Sequence, residues 1–321
     1  MDIVLISILV AFYVAWSIGA NDETMAVALS TGLMNVGLVV ALGAIMDFFG
    51  ALIASASVEK TIGVELLTFN PSELDIFIIL VAIASWLVFV SYYGWPASTT
   101  HSAVGAAIGL AAYRAGINGF AWPVLGEVVG GWVLSPILGL VSAYFLSIFL
   151  ESVYRRPKVR NMGRDMRLLR IAAYVVLAWA LYTSFYRGGN DSANATAFLL
   201  RVYKNPLVVR LVGGAGIGFG LIVLGRRVVR NVGKELVELD SLSGLAVQVS
   251  VALVLSIGTI LGFPLSGTHI LVSAVAGVGL ARRIWINMRN IKEIIVTWIV
   301  TFPGAAFIAV ALSFLADMIT G

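Results

Sequence analysis

Long runs of apolar residues, separated by short polar stretches, dominate the chain. With approximate ends, the runs cover 2–18, 22–32, 35–58, 74–93, 95–113, 120–150, 168–187, 191–200, 206–225, 242–261, 263–281 and 290–318. A helix needs about 20 apolar residues to cross a bilayer, so the pattern predicts an all-α polytopic membrane protein with ten to twelve transmembrane segments. The runs 22–32 and 191–200 are too short to cross alone, and they begin at the Asp of Gly-Ala-Asn-Asp and of Gly-Gly-Asn-Asp, respectively. We therefore expect 2–32 and 168–200 to be two helices that are broken inside the membrane.

The composition supports this prediction and excludes a water-soluble enzyme. Of the 321 residues, 12% are charged, against roughly a quarter in an ordinary soluble domain, and 60% are hydrophobic. The mean hydropathy is +0.98, and a soluble fold of this size could not cover so much apolar surface. The chain has no cysteine, which excludes disulfides, zinc–thiolate sites, iron–sulfur clusters and cysteine nucleophiles.

The positive charges predict a topology. Three stretches, 151–170, 226–234 and 282–292, hold 15 of the 21 Lys and Arg residues. Such clusters favour the cytoplasmic side, whereas the loops 59–73, 114–119 and 201–206 are poor in basic residues and are expected outside. All three clusters are cytoplasmic only if both termini lie outside and each half crosses the membrane an odd number of times. Because the basic residues sit between apolar runs, the net charge of +4 indicates topology and not nucleic-acid binding.

The chain also repeats itself at a nearly constant offset of 166 to 169 residues. Three landmarks recur in order: SIGANDETMA near residue 20 with RGGNDSANATA near 189, GWPASTTHSAVGAAIG at 94–109 with GFPLSGTHILVSAVAG at 262–277, and Glu127 and Trp132 with Glu293 and Trp298. The repeat predicts a first membrane half at 1–150, a basic cytoplasmic linker at 151–167 and a second half at 168–321. An odd number of crossings per half makes the two repeats inverted, and inverted repeats with broken helices are typical of secondary transporters.

The two Asn-Asp breaks are candidates for a cation site. Glycine permits a sharp change of backbone direction, and a carboxylate at membrane depth is retained only if it is paired or acts as a ligand. Oxygen atoms from Asn, Asp and unwound carbonyls suit a hard cation such as Na⁺. The candidate ligands are Asn21, Asp22, Asn190, Asp191 and Asn194. The alternative is that both breaks are purely structural helix caps.

The two Pro-led hydroxyl clusters are candidates for an anion site. Proline followed by Ser or Thr favours a helix start, so we expect short re-entrant half-helices at 98–112 and 266–280. A helix N-terminus offers free N–H groups and partial positive charge to an anion, and inversion would bring both tips together around a tetrahedral oxyanion. His101 and His269 hold matched positions. They could change protonation, bind metal or orient hydroxyls, and the sequence favours structural hydrogen bonding.

Two further ionisable residues lie within apolar runs. Asp47 has Ile217 as its repeat equivalent, and an acid without a matched partner inside the membrane is a functional candidate. Arg187 precedes the second Asn-Asp pair. It could neutralise an anion or an acid, or it could extend to the outer surface, and the sequence does not decide between these roles.

The motifs GANDETMA, GGNDSANATA, PASTTHS and PLSGTH resemble the paired signatures of the inorganic phosphate transporter (PiT) family, whose usual pattern is GANDxANA in both halves. The resemblance implies import of inorganic phosphate by symport with Na⁺, or with H⁺ in some members, by alternating access in the plasma membrane, with no organic cofactor. Carried over by position, it implies phosphate ligands at Ser98, Thr99, Thr100, Ser266, Gly267, Thr268, Asn21 and Asn190, sodium ligands on the five signature residues above, and supporting roles for Asp47, Glu23, His101 and His269. A homodimer is left open.

The chain departs from that pattern in its first half. Glu23-Thr24-Met25 stands where the family has a small apolar pair and Asn. Methionine supplies no strong oxygen ligand, so either one cation site is altered or Glu23 contributes to it. The departure leaves the coupling ion and its stoichiometry undecided.

Three rival functions remain to be distinguished. Some members of the family are sulfate permeases, but phosphate near neutral pH keeps a proton that it can donate to a carboxylate, whereas sulfate has none; acids near the oxyanion therefore favour phosphate. An anion channel would commonly gather as a symmetric oligomer around one pore, whereas this chain carries its own pseudo-symmetry. An intramembrane enzyme is disfavoured because no nucleophile elbow is found.

Overall fold

The fold is built from helices that follow the apolar runs. The computed structural model describes residues 3–92, 97–154, 162–235, 240–283 and 288–320. The helices are α1 (Ile3–Ala20), α2 (Ala26–Ser30), α3 (Val36–Ile53), α4 (Ala56–Lys60), α5 (Glu73–Tyr92), α6 (Thr99–Ala115), α7 (Trp122–Tyr154), α8 (Met162–Thr196), α9 (Leu199–Val202), α10 (Pro206–Gly220), α11 (Arg226–Glu235), α12 (Ser241–Ile260), α13 (Gly267–Arg282) and α14 (Met288–Thr320). The helices α7 and α8 extend into the predicted linker 151–167 from both sides, and residues 155–161 of that linker lie outside the described residues.

Seven helices within the described ranges are long and apolar enough to cross a membrane. Only 22% of the apolar window of α7 is buried, and the same share holds for α14. Phe145 on α7 and Phe307 on α14 are among the large apolar side chains left exposed. Such faces suit a lipid environment, and the all-α, polytopic membrane class is confirmed. The total of ten to twelve crossings stays a prediction.

The first predicted break is present. Helix α1 ends at Ala20 and α2 begins at Ala26. Between them the Asp22 carboxylate accepts a hydrogen bond from the Thr24 backbone N–H at 2.7 Å, which satisfies a group that the interrupted helix leaves free.

The second predicted break is wrong in its position. Helix α8 runs without interruption through Gly188, Gly189, Asn190 and Asp191 and ends at Thr196. A side chain on Gly188 would meet the α3 backbone at Asp47, and one on Gly189 would meet Ala54. The glycines therefore serve close packing between α8 and α3, and a glycine inside a helix costs only about 1 kcal/mol.

The two expected half-helices are present as α6 and α13. The Ser98 side chain caps α6 by accepting from the His101 N–H, and Ser266 caps α13 by accepting from the His269 N–H. The helices have 17 and 16 residues, and a rise of 1.5 Å per residue makes each about 25 Å long. Both are shorter than the roughly 30 Å of the hydrocarbon core.

The main packing partners join the two halves of the chain. Helix α1 packs along α10, and α8 packs along α3. In the same way α6 packs along α14, and α13 packs along α7. The contact of α1 with α10 is equivalent to that of α8 with α3, and the contact of α6 with α14 is equivalent to that of α13 with α7. This exchange of the two halves is expected of a duplicated chain.

Three loops predicted to share one side of the membrane meet at one end of the bundle. The Thr68 hydroxyl donates to the Asn118 carbonyl at 2.6 Å, and Arg201 donates to the Val64 carbonyl at 2.9 Å. At the same end Arg114 forms ion pairs with Asp75 and Asp317, both at 2.8 Å. The last turn of α14 therefore lies beside the loops 59–73, 114–119 and 201–206.

Candidate functional site

A buried arginine lies at the centre of the candidate site. Arg187 is 7% exposed. Its Nε lies 3.0 Å from Asp191 Oδ2 one turn later on α8. Its Nη1 lies 2.9 Å from Glu23 Oε1 and 3.3 Å from Asp22 Oδ1. The guanidinium thus bridges the two signature aspartates from opposite halves of the chain, and of the roles left open by the sequence the structure shows the neutralisation of acids.

Glu23 connects this arginine to the tip of α13. Its two carboxylate oxygens accept from Nη1 and Nη2 of Arg187 at 2.9 and 3.2 Å. The Thr268 hydroxyl, in the first turn of α13, donates to Glu23 Oε1 at 2.8 Å. A Cβ on Gly267 would lie 3.3 Å from Arg187 Cδ, so the arginine also packs against the tip. Glu23 therefore links the α1–α2 break, α8 and α13.

A second pair of acids lies beside this cluster. Asp47 on α3 is fully buried and Asp22 is 3% exposed, and the two carboxyl groups are close enough to repel each other when both are charged. Oδ1 of Asp47 accepts from the Ser184 hydroxyl at 2.8 Å, whereas Oδ2 has no hydrogen-bond partner in the described part of the chain. Two carboxylates are both acceptors, so this pair needs a shared proton or a cation.

The tips of the two half-helices meet. The Thr100 hydroxyl of α6 donates to the Leu265 carbonyl, just before α13, at 3.0 Å. The rings of His101 and His269 lie 4.8 Å apart between centroids. The first-turn N–H groups of both helices lack intrahelical acceptors. Those of His101 and His269 are satisfied by the serine caps, and the others are donors gathered in one region.

The two histidines are held in an aromatic cluster. The ring centroids of His101 and Trp132 lie 3.9 Å apart, and the stacked rings of His269 and Trp298 have centroids 3.5 Å apart. His101 Nδ1 contacts the Trp298 carbonyl at 3.2 Å. In the described part of the chain no group of three His, Asp or Glu residues is placed to hold a metal ion. The His101 ring therefore has one hydrogen-bond contact, whereas Nε2 of both histidines has no hydrogen-bond partner in the described residues; the predicted structural role stays a prediction.

The two asparagines of the second signature bind different elements. Asn194 Nδ2 donates to Thr100 Oγ1 at 3.2 Å and lies 3.4 Å from Thr99 Oγ1. Asn190 donates to the Thr259 hydroxyl and accepts from the Leu265 N–H. Asn194 therefore lies at the α6 tip, and Asn190 fixes the segment that leads into α13.

The predicted sodium ligands have different hydrogen-bond partners, and their role as ligands stays a prediction. Asn21 is exposed and donates to the Ser17 carbonyl of its own helix at 3.0 Å, so it is separate from the cluster. Asp22 and Asp191 share Arg187, while Asn190 and Asn194 bind the two tips. On the continuous helix α8, Asn190, Asp191 and Asn194 lie on one face, where Asp191 pairs with Arg187 of the same helix and the two asparagines contact different neighbouring segments.

Several residues of the cluster escaped the sequence-based prediction. Arg187 was left undecided, although its spacing of four residues from Asp191 would have indicated pairing on an unbroken helix. Thr24 lies in the first repeated motif opposite the apolar Ala193, and Ser184 lies outside the repeated motifs, so the repeat pointed to neither residue.

A bundle of lipid-facing helices that buries four acids and one arginine around a helix break has the architecture of a membrane transport protein. The chain belongs to the phosphate transporter family, whose sequence profile matches residues 18–309. This is a family of transporters and not of enzymes.

Individual relatives extend over nearly the whole chain. A proposed phosphate permease of Pyrococcus furiosus is 30% identical over 96% of this chain and 94% of its own. The chloroplast inorganic phosphate transporter 2-1 of Arabidopsis thaliana is 27% identical over 95% of this chain and 70% of its own. A solved structure described as the sodium-dependent phosphate transporter has a TM-score of 0.88 and 24% identity, covering 99% of this chain and 100% of that one. This last similarity establishes the fold.

Proposed function

We propose that the chain imports inorganic phosphate by symport with a cation, with Na⁺ as the first candidate and H⁺ as the alternative. The family, the names of the relatives and the sodium dependence in the description of the structural neighbour support this proposal. Phosphate and the cation are both substrates, and no organic cofactor takes part.

The observation that carries the proposal is the pair of Asp22 and Asp47. Both acids are buried, and Asp47 Oδ2 has no hydrogen-bond partner in the described residues. A buried acceptor without a donor is costly, and a bound cation or proton would satisfy it. Asp22 also contacts Arg187, so filling this position would change the charge felt by the arginine and the neighbouring α13 tip.

The anion is assigned to the meeting point of α6 and α13. Thr99 and Thr268 are partly accessible hydroxyl residues in the first turns, and Arg187 adds a positive charge beside Gly267. Free N–H groups, hydroxyls and a guanidinium are the donors that bind a tetrahedral oxyanion.

The transport cycle is assigned to the two halves, 1–150 and 168–321, acting as inverted repeats. Motion of one against the other would expose the midplane site alternately to each side. The end that carries the loops 59–73, 114–119 and 201–206 is proposed to lie outside the plasma membrane, together with both termini.

The direct test is uptake of radiolabelled phosphate into proteoliposomes under an imposed Na⁺ gradient, a proton gradient or neither. We expect accumulation against the phosphate gradient with Na⁺, and loss of this coupling in Asp47→Asn. The matched control is Asp317→Asn, an identical change in a partly exposed ion pair with Arg114, which should keep cation-dependent uptake.

Other outcomes would refute specific parts of the proposal. Equilibration without accumulation in every gradient would indicate a channel. Accumulation with a proton gradient alone would replace Na⁺ by H⁺. Strong inhibition by excess sulfate together with no phosphate flux would make the protein a sulfate permease.

A further inference from the structure

A small cavity lies beside Arg187, between α8, α12 and the α13 tip. Its polar lining consists of Thr24, Thr183, Arg187 and Gln248, with Gly267 and three apolar side chains completing the wall. The cavity volume is about 10 Å³, which is near the smallest space that holds one water molecule. The structure therefore shows a small cavity with mixed polar and apolar walls at the end of α13, where the anion is assigned.

Gln248 presents an unsatisfied acceptor in this region, and its orientation is fixed by neighbours. The Thr183 hydroxyl donates to the Trp179 carbonyl at 2.8 Å. Because its single hydrogen is used there, Thr183 must accept from Gln248, whose Nε2 lies 2.9 Å away. Reversing the amide would turn the Thr183 hydrogen towards Oε1 and cost Thr183 its hydrogen bond to the Trp179 carbonyl, so the observed orientation satisfies one group more. Gln248 is 1% exposed, and its Oε1 has no hydrogen-bond partner in the described part of the chain.

Hydrogen-bond donors near this cavity are already bound to the carboxylate of Glu23. The fork of Arg187 and the Thr268 hydroxyl are all directed at Glu23. A planar fork with an added hydroxyl matches an oxyanion as well as a carboxylate. The cavity surroundings thus combine donors for an anion with one acceptor that lacks a donor.

We propose that Gln248 determines the specificity of this transporter, because its Oε1 accepts the hydrogen of a protonated phosphate held by Arg187. The inference rests on the proposed phosphate transport. Phosphate near neutral pH carries a P–OH donor, whereas sulfate carries none. Sulfate at the same place would leave Oε1 unsatisfied and face it with another acceptor, so the site rejects it. Arsenate, which is tetrahedral and keeps a hydrogen, should be accepted.

Phosphate needs more room than one water molecule. Glu23 lies in the non-helical segment 21–25, which can move without breaking a helix. Movement of the Glu23 carboxylate out of this position would free Nη1 and Nη2 of Arg187 and the Thr268 hydroxyl at the same time. In this scheme Glu23 occupies the anion position until phosphate displaces it.

The test compares Gln248→Met, which keeps a similar volume but removes the acceptor, with the wild type. The quantity measured is the ratio of the inhibition constant for sulfate to the KM for phosphate in proteoliposome uptake. The loss of one hydrogen bond predicts a fall in this ratio of about tenfold. Leu255→Met, which changes an apolar residue of the same cavity wall, is the matched control and should keep the ratio.

A second variant covers the case in which Gln248→Met fails to fold. Thr183→Val removes the partner that fixes the amide, so Gln248 can turn its NH₂ group towards the anion and the ratio should again fall. An unchanged ratio in a folded Gln248→Met or in Thr183→Val would overturn the inference. A wild type that moves sulfate as well as phosphate would also overturn the inference, while leaving phosphate transport intact. A wild type without phosphate uptake would instead overturn the proposed function.

Discussion

Replacing Arg187 by Gln should destabilise the protein strongly, because it leaves three carboxylates without their shared cation. The arginine contacts Asp191 at 3.0 Å, Glu23 at 2.9 Å and Asp22 at 3.3 Å. At an effective dielectric constant of about 20, each contact corresponds to roughly 5 kcal/mol of attraction. Desolvation of the buried groups offsets much of this attraction, and breaking such a buried pair costs about 3–5 kcal/mol of unfolding free energy.

A double-mutant cycle with Glu23→Gln isolates the electrostatic part. Glu23→Gln alone leaves Arg187 two acidic partners and should cost less than the loss of the arginine. Combined with Arg187→Gln, it removes one of the stranded charges, so the double variant should be more stable than the sum of both changes predicts by about 1–3 kcal/mol. Equilibrium unfolding in mixed detergent micelles, followed by tryptophan fluorescence, measures all four proteins.

The matching cycle uses Arg114 and Asp317, whose side chains are 25% and 43% exposed. Solvent screens such a pair, so its coupling energy should be about 0–1 kcal/mol. Strictly additive effects at Arg187 and Glu23, or equal coupling in the two cycles, would refute the view that the buried arginine holds the cluster together.

Three further predictions concern packing, pH and capping. Gly188→Ala should lower the free energy of unfolding by about 1–3 kcal/mol, because the new methyl group meets the α3 backbone. Gly126→Ala places its methyl group in open space and should lower it little. Thermal unfolding of the two variants and the wild type measures the difference. Partial burial raises the pKa of Asp240, but hydrogen bonds from the start of α12 and from Arg282 outweigh it and hold this pKa below its usual value. The resulting stability is present above about pH 4 and is lost on further acidification. Asp240→Asn should therefore flatten the acid side of a plot of unfolding temperature against pH. An unchanged slope would contradict this prediction. Ser266→Ala should cost about 1 kcal/mol in the same measurement, while Ser266→Asn should recover most of it.

Local patterns predicted the elements that depend on local physics. The breaks in hydropathy gave the helices, and Ser98 and Ser266 cap half-helices within one residue of the predicted starts. The basic-poor loops were expected on one side, and their contacts place them at one end of the bundle.

The failures arise where tertiary contacts decide. Gly-Ala-Asn-Asp ends the helix in the first half, whereas Gly-Gly-Asn-Asp stays helical in the second, where Asp191 pairs with Arg187 one turn earlier within the helix. Gln248 could not be identified from the sequence, since a single polar residue on an apolar helix acquires its role only from the partner that orients it.

The charges of the cluster give a physical reason for coupling phosphate to a cation. The cluster contains one positive charge, on Arg187, and four carboxyl groups, those of Asp22, Glu23, Asp47 and Asp191. When all four are ionised, three negative charges are uncompensated in the absence of substrate. A phosphate anion would add to this excess in a region from which water is largely excluded, where charge repulsion is strong. Displacement of Glu23 from Arg187 would add one more unpaired carboxylate. Cations or protons at the Asp22–Asp47 pair would therefore have to bind before or with phosphate, and this order predicts that the KM for phosphate falls as the concentration of the coupling cation rises. A KM independent of that concentration, in proteoliposomes that still accumulate phosphate, would show that the charge of this cluster does not set the coupling.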